Sequence, residues 1–365
     1  MRRATLSAVV LAAGDGTRMR SSRPKPLHVL CGKAMVVYVL DALVDSGVDR
    51  AVVVVGAGAE RVTKKLQEDG PDLHTEFVEQ RFARGTGDAA VVGLGAFADD
   101  DLDDAHVLLL PGNTPLLRSS TVAALAEAHI DSGAAVTILT ANLDDPSGHS
   151  RIVRGKGDRV VRVVEQADAD PDELVKHEAA TDVYCFRRNL LAPALRRVDP
   201  RNARGVYELS DAVRVLAETG HPVATFAVAD PTEVLAVNDR VQLALVEAEL
   251  RRRTNLGWLQ RGVTFVDPER TYLDTTVRLG ADVTLFPGTM LQGRTVVGEG
   301  AEIGPDTRLV DCVVGDGARV EQTVGRDAEI GAGAVVGPYA VLGAGAEIRA
   351  GATTGAFFRS PTRED

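Results

Sequence analysis

Up to about residue 230, short apolar runs alternate with stretches of helical periodicity. Residues 6–11, 51–55, 106–111 and 135–140 read as buried strands, and residues 35–46, 59–68 and 119–132 as helices. Such alternation implies βαβ units around a mostly parallel sheet covered by helices. Ligands on such sheets bind where loops leave the carboxyl ends of strands, so the loops after Leu11 and Leu110 come first as candidates. Residues 238–260 read as one long helix, a connecting arm. Its Arg251, Arg252 and Arg253 read as a solvated helix end and Trp258 as packing.

Beyond the arm the period changes. Leu273, Leu279, Leu285, Leu291, Val297, Ile303 and Leu309 recur every six residues. The spacing slips at Val314, Val320 and Val324, then resumes through Ile330, Val336, Leu342 and Ile348. Glycine follows many of these positions, as at Gly280, Gly298, Gly304 and Gly331. A six-residue repeat places one side chain per short strand inside a triangular coil, the hexapeptide signature of a β-helix of about 80 residues and roughly four to five coils. The expected organisation is a first domain over 1–230, an arm over 231–262, a β-helix over 263–358 and a tail over 359–365.

Hydrophobic residues make up 45% of the 365 and charged residues 25%, which excludes a mainly disordered chain. A net charge of −11 argues against general nucleic-acid binding while allowing a local basic patch for a phosphorylated small molecule. Cys31, Cys185 and Cys312 have no metal-ligand spacing, and their odd number speaks against a disulfide framework, so a reducing, cytoplasmic setting is expected. The apolar run after Met1-Arg2-Arg3 reads as a first strand rather than a leader. No run reaches the roughly 18 apolar residues of a membrane span. The acidic run from Asp99 to Asp104 reads as a solvated loop rather than a metal cluster.

The segment Leu11-Ala12-Ala13-Gly14-Asp15-Gly16-Thr17-Arg18-Met19 follows a strand. Its glycines let backbone N–H groups turn toward an anion, and Arg18 and Lys25 would flank it with two cations. It lacks the third glycine of a dinucleotide fingerprint and the Gly-Lys-Ser/Thr of a Walker loop. A plain strand-to-helix turn with surface charges is the alternative. With Pro24-Lys25, Gly32-Lys33-Ala34-Met35, Gln80, Gly85-Thr86-Gly87, Gly112-Asn113-Thr114-Pro115, Val164-Glu165-Gln166, Asn202-Ala203-x-Gly205, Val237-Asn238 and the hexapeptide repeat, the chain resembles the sugar-1-phosphate nucleotidylyltransferases. The resemblance is in particular to the bifunctional N-acetylglucosamine-1-phosphate uridylyltransferase/glucosamine-1-phosphate acetyltransferase type, and it covers nearly the whole chain.

The resemblance implies an α/β, Rossmann-like nucleotidyltransferase domain with a mostly parallel mixed sheet, followed by a left-handed parallel β-helix that packs as a homotrimer. It implies a reaction of a nucleoside triphosphate with a sugar 1-phosphate that gives a nucleotide sugar and pyrophosphate. Leu11, Ala12, Ala13, Gly14 and Gly112 would line the nucleotide. Arg18 would stabilise the leaving pyrophosphate and Lys25 would bridge phosphates. Gln80, Gly85 and Thr86 would read the base. Ser150, Glu165, Ala180 and Ser210 would surround the sugar. Asn238 and Asn113 would be the ligands of Mg2+. His28 reads as loop scaffolding and His106 as capping or packing.

Departures from the family pattern bear on activity. Asn113 stands where the family has a metal-binding aspartate, and two neutral ligands suit a hard cation poorly. Ala180-Thr181-Asp182 replaces Asn-Thr-Gly, Glu208 replaces a tyrosine, Ser150 a glycine and Asp88 a histidine. Losing the asparagine that bonds an acetamido group points to a non-acetylated hexose or a cyclitol phosphate. No histidine follows His221, so acetyl transfer is expected to be absent. The leading expectation is a nucleotidylyltransferase using UTP, with GTP or dTTP as alternatives. The competing one is a catalytically silent homologue that binds nucleotide sugar or partners.

Overall fold

A computed structural model describes residues 5–97 and 105–360; the acidic run 99–104 and residues 1–4 lie outside the described residues. The chain forms two compact units. One runs up to His28 and from Ala34 to Leu243; the other takes in Val29–Lys33 and the chain from Ala244 onward.

The first unit is built on a nine-stranded sheet. Its path runs β11 (Val223–Ala227), β7 (Val136–Asn142), β10 (Glu178–Arg187), β6 (Ala105–Pro111), β1 (Thr5–Ala12), β4 (Arg50–Val55) and β5 (Thr75–Glu79). A hairpin of β8 (Ser150–Arg154) and β9 (Val160–Val164) hangs from β10. Pairing is parallel except around β10, which is antiparallel to both neighbours, so the sheet is the expected mostly parallel mixed one. The strands read as unbroken apolar runs because both faces are covered. Leu6, Ala8 and Val10 of β1 pack with Leu40 and Leu43 of α1 (Met35–Val44) and Leu125 of α4 (Ser119–Ser132). On the opposite face Val9 joins Ala89 and Ala90 of α3 (Thr86–Leu94) and Leu216 of α7 (Asp211–Glu218). Each such aliphatic side chain contributes about 2 kcal/mol by leaving water.

The second unit holds most of the long helix α8 (Arg240–Leu259) and a left-handed β-helix of three parallel five-stranded sheets. Two- and three-residue strands stack in register, Leu273 on Leu291 and Leu291 on Leu309. The repeat differs from expectation at one rung. Val324 is 53% exposed, while Gly325 pairs with Leu309 below and Leu342 above and takes the inward slot. A Cβ at Gly325 would lie 2.9 Å from Leu309 Cδ2, so the larger neighbour already fills that slot. A further regularity is a small residue two positions before the inward aliphatic one. Thr289, Ala301, Thr307, Ala318 and Ala334 are all fully buried there. Thr289 Oγ1 donates to Phe286 O at 2.7 Å and Thr295 Oγ1 to Gln292 O at 2.7 Å, which satisfies corner carbonyls inside the coil.

Trp258 packs on the β-helix core, as expected. The arginine triplet is more engaged than a solvated helix end. Arg251 stacks over Tyr272 at 4.8 Å, and Arg252 and Arg253 pair with Glu249 at 2.7 and 2.8 Å. All three cysteines are buried and none forms a disulfide. Among the described residues no helix is long and apolar enough to cross a membrane.

Candidate active site

The loop after β1 lies at the carboxyl edge of the sheet. Gly16 has φ +65°, and a Cβ there would sit 2.7 Å from Lys25 Cβ, so glycine is needed for Lys25 to come under the loop. Gly14 has nothing within 4 Å of the Cβ position, leaving open space above it. The buried Met19 pins the far end of the loop, and Arg240 Nε donates to its carbonyl at 3.2 Å. Arg18 is exposed beside this anchor. Lys25 is half-buried, and its pKa is pushed down to about 8 by burial first and by the charge of Arg18 second, against Asp15. Gly112, at the end of β6, donates its N–H to Leu11 O at 2.9 Å, which brings the two candidate loops together with Ala12 and Ala13. His28 is buried scaffolding here: its carbonyl accepts from Met35 N at 2.8 Å.

Gln80, which enters from the end of β5, is oriented by its neighbours. Its Nε2 donates to Asp88 Oδ2 at 2.7 Å and to Gly85 O at 3.2 Å. With the amide nitrogen committed, Oε1 is the atom left to accept from a base N–H. Asp88, the replacement for the family histidine, therefore holds the Gln80 amide in one orientation. Thr86 serves the neighbouring cleft: its hydroxyl donates to Glu208 Oε2 at 3.0 Å and accepts from Leu209 N at 2.9 Å. Gly87 N bonds Tyr207 O and Tyr207 N bonds Arg84 O, both at 2.8 Å, stitching the base loop to the segment that carries Glu208 and Ser210.

That segment borders a cleft of about 450 Å³ lined by Glu165, Glu208 and Ser210 among others. Ser210 Oγ donates to Glu165 Oε1 at 3.1 Å. Arg204 reaches Glu165 at 3.0 Å and Glu208 at 2.7 Å. Ser150 and Ala180 are paired across β8 and β10, both buried. Two residues on, at an irregularity between Ala180 and Tyr184, Asp182 has φ +59°. Its carboxyl is pushed up to about 7 by the desolvating protein around it, then by the charges of Glu165 and Glu208, with Arg204 opposing. Desolvation and Glu165 likewise raise Glu208.

Asn113 and Asn238 also meet, but as an amide pair. Asn238 Oδ1 accepts from Lys25 Nζ at 2.8 Å and from Asn113 Nδ2 at 3.2 Å, while Asn113 Nδ2 also reaches Val237 O at 2.9 Å. Both lone pairs of the Asn238 oxygen are thus engaged, and one partner is a cation. Among the described residues no group of three or more His, Cys, Asp or Glu could hold a metal. A hard dication is drawn to carboxylate oxygen and repelled by an adjacent ammonium, so this donor set does not fit a resident magnesium.

The structure therefore gathers Arg18, Lys25, Asn113 and Asn238 around the first loop, Gln80 and Gly85 at the base loop, and Glu165 and Ser210 in the cleft. Sequence reasoning passed over Arg204, which stands at the unassigned position of Asn202-Ala203-x-Gly205, and Tyr184, hidden in a strand. Arg240 lies in the motif that begins Val237-Asn238, but nothing in its spacing announces a bond to Met19.

The MobA-like NTP transferase domain family matches residues 8–232. The chain is 41% identical to a bifunctional protein GlmU of Bifidobacterium longum subsp. infantis over 96% of its own length and 76% of that protein's. It is 41% identical to the bifunctional protein GlmU of Desulfitobacterium hafniense over 91% of its length and 71% of that protein's. It is 43% identical to the bifunctional protein GlmU of Streptomyces coelicolor, covering 68% of it.

Proposed function

The chain belongs to the MobA-like NTP transferase family and, within it, to the GlmU-type sugar-phosphate nucleotidyltransferases, and from that membership we propose a specific reaction. An oxygen of a sugar or cyclitol 1-phosphate attacks the α-phosphorus of UTP in line, and the bond to the bridging oxygen of pyrophosphate breaks. Such a transfer needs positioning and charge neutralisation rather than a covalent group. Arg18 and Lys25 supply the positive charge at the leaving pyrophosphate. Gln80 Oε1 accepts the imide N–H of the base, and Glu165 accepts sugar hydroxyls. The observation that carries this reading is the pairing of the two cations around the glycine loop at the end of β1.

Any magnesium the reaction uses would be held by the substrate phosphates rather than by this donor set, since Asn238 is bonded to both Asn113 and Lys25. The setting is the cytoplasm, where triphosphates are abundant. Residues 263–358 contain no histidine, so these coils offer no imidazole base for acyl transfer, and the reaction proposed for this chain is nucleotidyl transfer. The β-helix assembles the chain as a homotrimer; its outward Val296, Val313, Val324 and Val341 are exposed apolar positions on the coils.

The test is pyrophosphate release with magnesium. Each common triphosphate is crossed with glucose, N-acetylglucosamine, galactose and mannose 1-phosphates and a cyclitol 1-phosphate. Release with UTP and one of these is the expected result. A second reading, a silent nucleotide-binding homologue, is favoured by the absence of a carboxylate at Asn113. Silence across the grid with nucleotide binding intact by calorimetry, and turnover gained only in Asn113→Asp, would establish it.

A further inference from the structure

Glu165 and Glu208 line the cleft and share one cation, and Asp182 lies within electrostatic range of both. Arg204 bonds both Glu165 and Glu208. Asp182 feels the charges of both, with Arg204 alone opposing. Other acids along the cleft have partners of their own. Asp199 pairs with Arg201 at 2.6 Å, Asp211 lies 3.8 Å from Arg214, and Asp168 accepts from Ala203 N at 2.8 Å. The trio therefore carries uncompensated negative charge beside a subsite meant for a phosphorylated, already anionic molecule. Proton uptake or a cationic group on the ligand relieves that repulsion, and a neutral polyol leaves it to protons alone.

A separate observation points to a ligand. Tyr184 is 1% exposed, its hydroxyl has no hydrogen-bond partner in the protein, and it lies within electrostatic range of Asp182, Glu165 and Glu208. A buried hydroxyl is ordinarily matched by a protein group, an ordered water or a bound molecule, and here the protein offers no partner. Glu208 Oε1 is held by Arg204 at 2.7 Å, so the tyrosine hydroxyl is the unmatched group beside these acids. The backbone adds a cost at the third member: Asp182 holds φ +59°, a conformation glycine adopts freely, yet carries a carboxylate there.

We propose that the substrate is a 1-phosphate bearing a free amino group, an amino sugar or aminocyclitol, whose ammonium sits among Glu165, Asp182 and Glu208. This deepens the transferase reading and rests on it for the identity of the subsite. The ammonium offsets part of the trio's charge and donates to its carboxylate oxygens. An acetylated nitrogen has no charge to offer, and Ala180 has no polar atom with which to hold the acetyl group.

Calorimetry on the full-length protein tests this apart from turnover. The probes are the 1-phosphates of glucosamine, 3-amino-3-deoxyglucose and 4-amino-4-deoxyglucose, against those of glucose and N-acetylglucosamine. At pH 7 at least one amino compound should bind tenfold or more tighter than glucose 1-phosphate. Asp182→Gly, which suits the local φ, should cut that preference to about twofold, and Glu208→Gln should weaken it while preserving shape. Equal or tighter binding of glucose or N-acetylglucosamine 1-phosphate overturns the proposal, as does a preference unchanged in both variants. Pyrophosphate release separates the two readings. Release only with uncharged sugars sinks the amino-group assignment and leaves the transferase standing. Selective binding of an amino compound with no release from any pairing does the reverse.

Discussion

Lys25 shows how one side chain can be placed by several unrelated features. Gly16 clears the space for its Cβ, Asn238 accepts its ammonium, and Arg18 presses on its charge. Its pKa of about 8 in the free protein means it is charged below pH 8 and loses that charge above it. The kcat/KM for the triphosphate should therefore fall on the alkaline side with an apparent pKa near 8. Lys25→Ala should lose at least tenfold in kcat and lose that alkaline limb. A limb retained in Lys25→Ala would assign it to another group. At this scale much of the site was legible, because Arg18, Lys25, Gln80 and Glu165 lie in ordered motifs. What was not legible were residues acting through space. The bond from Asp88 to Gln80, and the guanidinium of Arg204 between two carboxylates, depend on loops brought together by Tyr207 and Thr86.

Among elements, the packing of α4 on the sheet buries an imidazole. His129 is fully buried, its Nδ1 is 2.9 Å from Thr137 Oγ1 of β7, and its ring meets His106 of β6 edge-on at 5.0 Å. Burial first, then the charges of His106 and Arg187, push its pKa from 6.5 down to about 4. The folded chain thus keeps His129 neutral where the unfolded chain takes up a proton. Its contribution is fully present above about pH 6.5 and is lost as pH falls toward 4, by about 3 kcal/mol at most. Urea midpoints measured between pH 7 and 4.5 should drop less steeply in His129→Gln than in the parent. Identical slopes would show that His129 does not couple folding to pH. Element periods were the most readable part of the sequence, since six-residue spacing has no competing explanation. The slip at Val324 was not readable, because choosing between Val324 and Gly325 requires knowing that Leu309 fills the slot below.

For the whole molecule, the decisive segment is the ribbon of β2 (Val29–Leu30) and β3 (Lys33–Ala34). Residues Val29–Lys33 belong to the second compact unit, although they follow Lys25 by only a few positions. Thr275 N donates to Cys31 O at 3.0 Å, and Gly32 packs so closely that a Cβ would lie 2.7 Å from Asp274 Cβ. Leu30 is fully buried. Two separate units would by themselves let everything after about residue 262 be removed with assembly changed and nucleotide binding intact. The fold argues otherwise. Truncation deletes Asp274 and Thr275, leaves the Cys31 carbonyl without its donor, and frees the chain a few residues after Lys25. The truncated protein should be monomeric and bind UTP at least fivefold more weakly, by sedimentation and calorimetry. Restoring residues 263–292, which return Thr275 and Asp274, should recover binding before it recovers assembly. Unchanged UTP affinity in the truncation would show that Lys25 is held by the first unit alone, through Asn238.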